Sequence, residues 1–129
     1  MKKLTVIALA VCLLIAAALL WHHFEGSKLA GTWVVDYGRD IPIRNATTFS
    51  PDGSFVCQIS GYTNGMIIDI SGTFEMRDGV LISTETKDSQ TNAVLPRVAR
   101  ARIVRFDDRE LDLRFDGDKR LVVLRKESK

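Results

Sequence analysis

Apolar and polar residues alternate along most of the chain after Leu29, and this pattern limits the region to β structure. Between residues 66 and 76 the apolar side chains occupy every second position, with Asp69, Thr73 and Glu75 between them. No apolar period typical of an amphipathic helix persists in this region. We therefore predict strands at about residues 31–37, 45–50, 54–60, 66–77, 79–87, 97–106, 109–115 and 119–126.

Short turn sequences separate the predicted strands, as at Pro51-Asp52-Gly53 and Arg77-Asp78-Gly79. Strands joined by tight turns pair mostly with their neighbours in sequence, and an open sheet of this kind would leave two exposed edges. We therefore predict an all-β fold, a small antiparallel up-and-down barrel of about eight strands. At this size the interior is just wide enough for side chains or one small ligand. The short walls favour a largely filled interior.

The N-terminus carries a different signal. Lys2 and Lys3 precede an unbroken apolar run from Leu4 to Trp21, which predicts one hydrophobic helix with its N-terminus in the cytoplasm. A cleaved signal peptide is an alternative, because residues 16–18 are alanines, but the apolar run continues past them. Lipidation at Cys12 is a third interpretation. All three place the following domain outside the cytoplasm.

These patterns divide the chain into three parts. Residues 1–21 are a membrane anchor or an uncleaved signal-like helix, residues 22–28 are a linker, and residues 29–126 are the barrel. The expected location is a single-pass membrane protein with an extracytoplasmic C-terminal domain, periplasmic if the organism is Gram-negative.

Charge limits the partners of the exported part. Residues 22–129 carry 16 basic and 16 acidic side chains, and aromatic residues do not interleave with the arginines, so nucleic acid is not an expected partner. Residues 97–126 hold 10 basic and 6 acidic groups. Four arginines lie close together at the start of this region: Arg97, Arg100, Arg102 and Arg105. We expect these four to pair with acids across the sheet or to meet anionic lipid headgroups.

Residues able to perform catalysis are scarce. The two histidines, His22 and His23, precede the predicted barrel, so a Ser-His or Cys-His nucleophile is excluded there. The carboxylate pairs at Asp107-Asp108 and at Asp116 with Asp118 fall in predicted turns, which favour Asp for its backbone hydrogen bonds. We predict no catalytic residue, no metal site and no cofactor, and hence no enzyme. Cys57 is predicted to be a small buried side chain.

Several short motifs in order resemble the small bacterial lipocalin-like domains of the calycin type. They are Leu29-Ala30-Gly31-Thr32-Trp33, residues 48–55, Gly72-Thr73-Phe74 before Asp78-Gly79, Glu110-Leu111-Asp112-Leu113 and Arg125. The resemblance implies that Trp33 closes one barrel end beneath Arg125. The chain lacks a Thr-Asp-Tyr segment and is shorter than a full lipocalin, which argues against a large ligand cup.

Two functions follow from these observations. The first is non-enzymatic binding of a small apolar or amphipathic ligand inside the barrel, whose expected lining is Trp33, Phe55, Ile68, Ile70, Phe74, Leu111 and Leu113. The same residues would also form a packed core. The alternative is an envelope accessory module that recognises another protein through the outer face or loops of the barrel.

Overall fold

The computed structural model of the chain describes residues 2–38, 41–61, 65–90, 92 and 94–128, and for residues 4 and 18–27 it describes the backbone alone. One helix precedes eight strands. They are α1 (Lys2–Ser27), β1 (Gly31–Val35), β2 (Ile43–Phe49), β3 (Ser54–Gly61), β4 (Ile67–Arg77), β5 (Val80–Asp88), β6 (Arg97–Phe106), β7 (Glu110–Phe115) and β8 (Val122–Lys126). Each of the eight predicted strands is confirmed, with bounds that shift by a few residues.

The strands form one closed antiparallel barrel in sequence order. Each strand pairs with the next, and β1 pairs with β8, which removes both sheet edges. The predicted fold class is therefore confirmed. A β-bulge interrupts the β4–β5 pairing between Ser71 and Gly72.

The helix α1 extends further than the apolar run alone indicates. It continues to Ser27, so most of the predicted linker at residues 22–28 is helical, and only residues 28–30 separate α1 from β1. In the part of the chain that the structure describes, no helix is both long and apolar enough to cross a membrane. This finding applies to only part of the predicted membrane segment at residues 4–21, because the structure does not describe the side chains of residues 4 and 18–21.

The barrel has two unlike ends. At the end where α1 enters, short turns connect β2 to β3, β4 to β5 and β6 to β7. We call this the closed end. The connections β1–β2, β3–β4, β5–β6 and β7–β8 are longer and surround the opposite end, which we call the mouth.

Large side chains fill the closed half of the barrel. Trp33, Leu29 and Leu111 are fully buried, and the Trp33 indole Nε1 donates a hydrogen bond of 2.9 Å to the carbonyl oxygen of Leu29. The Phe49 ring meets the Phe74 ring edge-on, with centroids 4.8 Å apart. The predicted burial of Trp33 and Phe74 is confirmed.

The predicted contact between Arg125 and Trp33 is wrong. Trp33 lies opposite Lys126 in the β1–β8 register, and Arg125 lies opposite Val34. Because successive residues of a strand point to opposite faces, Arg125 points outward. There it donates hydrogen bonds to Asp36 Oδ2 at 2.9 Å and to Glu110 Oε1 at 3.0 Å.

Candidate ligand cavity

The mouth half of the barrel interior is hollow. A cavity of about 550 Å³ opens at the mouth, and Phe49, Phe55, Leu81 and Leu124 are among the side chains that line its deeper part. Its volume lies in the range of about 300–1,000 Å³ that is usual for small-molecule sites. The expectation of a largely filled interior is therefore corrected.

Small side chains on inward positions leave this space open. Along β5 and β6, Ser83 pairs with Ala99 and Leu81 pairs with Ala101, and all four residues line the cavity. Alanine and serine do not reach across a barrel of eight strands, so the centre stays empty at their level.

The cavity wall divides into an apolar side and a polar side. From β6 through β7 and β8 to β1, the strand residues of the lining are apolar and include Ala99, Ala101, Leu113, Phe115, Val122, Leu124 and Val35. Asp36, Asp118 and Arg120 add charged side chains on this side at the mouth. From β2 to β5, polar groups interrupt the apolar lining, and we call these residues the polar arc. They are Asn45, Thr47, Cys57, Ser83 and Glu85.

Hydrogen bonds order one part of the polar arc. The Cys57 thiol donates to Asn45 Oδ1, with 3.2 Å between the sulfur and oxygen atoms. Asn45 Nδ2 donates in turn to the Tyr37 hydroxyl at 3.1 Å, and Tyr37 borders the cavity at the mouth. Burial raises the pKa of Cys57, so its side chain is a neutral thiol at physiological pH. Cys57 is half-buried and borders the cavity, whereas the sequence predicted a small buried side chain.

Glu85 adds a charged acceptor that is already paired. Arg97 Nε donates to Glu85 Oε2 at 2.7 Å, and the Arg97 guanidinium also lies 3.3 Å from Asp88 Oδ2. Arg97 therefore offsets the charge of Glu85. The polar arc offers a ligand hydrogen-bonding groups with little net charge.

The residues predicted to line a ligand site divide into two groups. Phe55, Ile70 and Leu113 belong to the packed core and also lie on the cavity wall. Trp33, Phe74 and Leu111 belong to the core but do not line the cavity, and Ile68 is partly buried against that core.

Sequence reasoning missed the polar residues of the wall. Asn45, Ser83 and Glu85 face the barrel interior. The predicted interior contains only apolar residues, because the inward face of each strand is identified from its apolar side chains. The sequence does contain an indication of the cavity. Leu81-x-Ser83-x-Glu85 lies opposite Ala99-x-Ala101, and these segments place small or polar side chains at consecutive inward positions.

Some of the predicted arginine pairing is confirmed. Arg97 pairs with Glu85 and Asp88, and Arg105 lies 3.1 Å from Asp107 Oδ2 and 3.3 Å from Glu110 Oε2. Arg100 and Arg102 are exposed. Among the described residues, no group of three or more His, Cys, Asp and Glu side chains is arranged to hold a metal ion.

Comparisons with known proteins support the fold alone. No family model and no curated protein matches the chain. The chain is similar to the crystal structure of an uncharacterized protein from Bacteroides eggerthii DSM 20697, with a TM-score of 0.55 and 16% sequence identity. The similarity covers 77% of this chain and 99% of that one. At this sequence identity, the similarity supports a shared barrel architecture and does not indicate a shared function.

Proposed function

We propose that this protein is a non-enzymatic, lipocalin-like binding domain that holds one small amphipathic molecule inside the barrel. The observation that carries the proposal is the cavity of about 550 Å³, which is lined by side chains from all eight strands and open at the mouth. A barrel that served only as a scaffold for surface contacts would gain stability from filling this space.

The wall indicates the chemistry of the ligand. Its apolar side favours a hydrocarbon or ring surface, because burial of apolar area contributes about 25 cal/mol per Å². The polar arc favours hydroxyl, amide or amine groups that exchange hydrogen bonds with Asn45, Ser83 and Glu85. The ligand is therefore amphipathic along its length, with polar groups on one edge and an apolar surface on the other.

The proposal includes a location. Residues 4–21 hold the domain at a membrane, and the barrel lies on the extracytoplasmic side, as the two lysines before the apolar run favour. This placement suits an amphipathic ligand, since such molecules concentrate in and near membranes.

Cys57 offers a direct test, because its thiol borders the cavity. In the full chain carrying Cys12→Ser and held in lipid nanodiscs, iodoacetamide alkylation of Cys57 is followed by intact mass. A long-chain alcohol that occupies the cavity should slow alkylation several-fold. Ala99→Phe should slow it without added alcohol, because Ala99 faces the cavity.

Val98→Phe is the matched control, since Val98 is the neighbouring residue on β6 and is exposed outside the barrel. It should leave the alkylation rate unchanged. If alcohols never protect Cys57 and Ala99→Phe behaves like Val98→Phe, the cavity is not a binding site. That result would favour the alternative function, recognition of another envelope protein.

A further inference from the structure

Acidic side chains outnumber basic ones among the described residues of the cavity wall. The charged residues of the lining are Asp36, Glu85, Asp118 and Arg120. Asp118 pairs with Arg120 and Asp36 pairs with Arg125, and these groups lie at the mouth, where water screens their charges. The Glu85 side chain is only 18% exposed, so its charge is the least screened on the wall.

Glu85 shares its arginine with a second carboxylate. Arg97 pairs with Glu85 and also lies 3.3 Å from Asp88 Oδ2. Asp88 is opposite Ile70 in the β4–β5 register, so its side chain faces the interior as Ile70 does. The Asp88 side chain is 0% exposed, and its Oδ1 atom accepts a hydrogen bond of 2.9 Å from the backbone N–H of Gln90. Two carboxylates and one guanidinium leave this group with one negative charge.

Other cations near this end of the barrel do not cancel that charge. Lys87 and Arg100 lie on the outer face of the barrel, because the residues beside them in sequence face inward. In the β7–β8 connection, the exposed Lys119 is matched by the exposed Asp116. The interior beside Glu85 and Asp88 therefore has a negative potential that favours a positively charged occupant.

The rest of the wall favours an organic cation over a metal ion. Within the described part of the chain, no group of three or more His, Cys, Asp and Glu side chains is arranged to hold a metal. The strand residues from β6 to β8 present hydrocarbon to the cavity, among them Leu113, Phe115 and Val122. A molecule with an ammonium group on one edge and an apolar surface elsewhere would match both sides.

We propose that the ligand of the cavity is an amphipathic cation, with its ammonium group beside Glu85 and its apolar part against the wall from β6 to β8. This inference rests on the proposed function and narrows the ligand to one sign of charge. Among the described residues, Arg97 is the side chain that donates to Glu85, and it does so at Oε2. The Oε1 atom can therefore accept a charge-assisted hydrogen bond from the ligand.

Three probes with the same octyl chain test the sign of the charge. Octylammonium, octanol and octanoate are titrated calorimetrically at pH 7 into the full chain held in phosphatidylcholine nanodiscs, with empty nanodiscs as the blank. We expect octylammonium to bind about tenfold more tightly than octanol, and octanoate to bind more weakly than octanol. Added salt should reduce the preference for octylammonium.

Variants test whether Glu85 and its partners cause the preference. Glu85→Gln should reduce it to about twofold or less, because Arg97 and Asp88 then form a neutral pair. Arg97→Gln should increase it, because positive charge is removed from the same place. A general loss of structure would not produce these opposite changes, and thermal melts check that each variant is folded.

Glu75→Gln is the matched control. Glu75 follows the inward-facing Phe74 on β4, so it lies on the outer face, where it pairs with Arg77. The same substitution there should keep the full preference for octylammonium. A preference that Glu75→Gln and Glu85→Gln reduce equally, or that Glu85→Gln leaves intact, would overturn the inference.

The probes also separate this inference from the proposed function. If octanol or octanoate binds as tightly as octylammonium, the cavity is a binding site but its ligand is not a cation, and the inference fails alone. If none of the three probes binds and none slows alkylation of Cys57, the inference and the proposed function both fail.

Discussion

Lys126 and Trp33 close the barrel together: the Lys126 Nζ atom lies 5.6 Å from the centroid of the Trp33 ring, and the two residues are opposite each other on β8 and β1. This distance is within the range of a cation–π interaction. The pair joins the first and last strands, and the hydrogen bond from Trp33 to Leu29 fixes the indole from the other side. The closing cation is thus a lysine one position after the arginine that the lipocalin resemblance suggested.

A double-mutant cycle should detect this pair. We expect Lys126→Gln and Trp33→Phe to show a coupling free energy of about 0.5–1 kcal/mol in denaturant unfolding of the full chain. Arg125→Gln with Trp33→Phe is the control and should show no coupling, since Arg125 bonds to Asp36 and Glu110 outside the barrel. Coupling through Arg125 and none through Lys126 would contradict the register of β8.

The sequence predicted the fold well because alternation and turn residues are local signals. It did not determine which residues of β8 face inward, because Val122, Val123 and Leu124 are all apolar and fit either face. It could not reveal the cavity for a different reason. Whether a barrel is hollow depends on the sizes of side chains that meet across the interior, such as Ser83 and Ala99, and these belong to different strands.

Gly72 should tolerate no side chain. A Cβ atom at this position would lie 1.8 Å from the carbonyl oxygen of Thr84, because the β4 and β5 backbones approach closely at the bulge. We expect Gly72→Ala to reduce the free energy of unfolding by about 3 kcal/mol or more, since backbone must move to relieve the overlap. Ser71→Ala is the adjacent control. A loss below about 1 kcal/mol in Gly72→Ala would show that the strands separate easily there.

Asp112 should make stability depend on pH. This carboxyl is buried on β7, and its Oδ1 atom has no hydrogen-bond partner. Burial raises its pKa above the ordinary value, the nearby Glu110 carboxyl raises it further, and Arg105 and Arg125 oppose the shift only in part. Because the folded state disfavours the ionised form, this group's contribution to stability is greatest in acid and is lost as pH rises through the raised pKa.

Asp112→Asn should therefore stabilise the barrel at neutral pH by about 1 kcal/mol, and the gain should disappear in acid where the wild-type carboxyl is protonated. Urea unfolding at a series of pH values measures this difference. Asp116→Asn, in the exposed turn after β7, is the control and should show no such dependence. A gain for Asp112→Asn that is equal at all pH values would exclude ionisation as its cause.

Phe74→Ala should be among the most destabilising substitutions in the chain. Phe74 is buried on the inner face of β4, opposite Ser83, and its ring packs edge-on against Phe49. Truncation of a buried phenylalanine costs about 3–5 kcal/mol through lost burial and the space left behind. That is a large share of the roughly 5–15 kcal/mol that stabilises a typical domain.

Thr73→Ala, one residue away on the exposed outer face, should cost less than about 1 kcal/mol. Denaturant melts of the two variants compare the faces of β4 directly. Equal costs, or a larger cost at Thr73, would mean that the strand is shifted by one residue and that its inner and outer faces are exchanged.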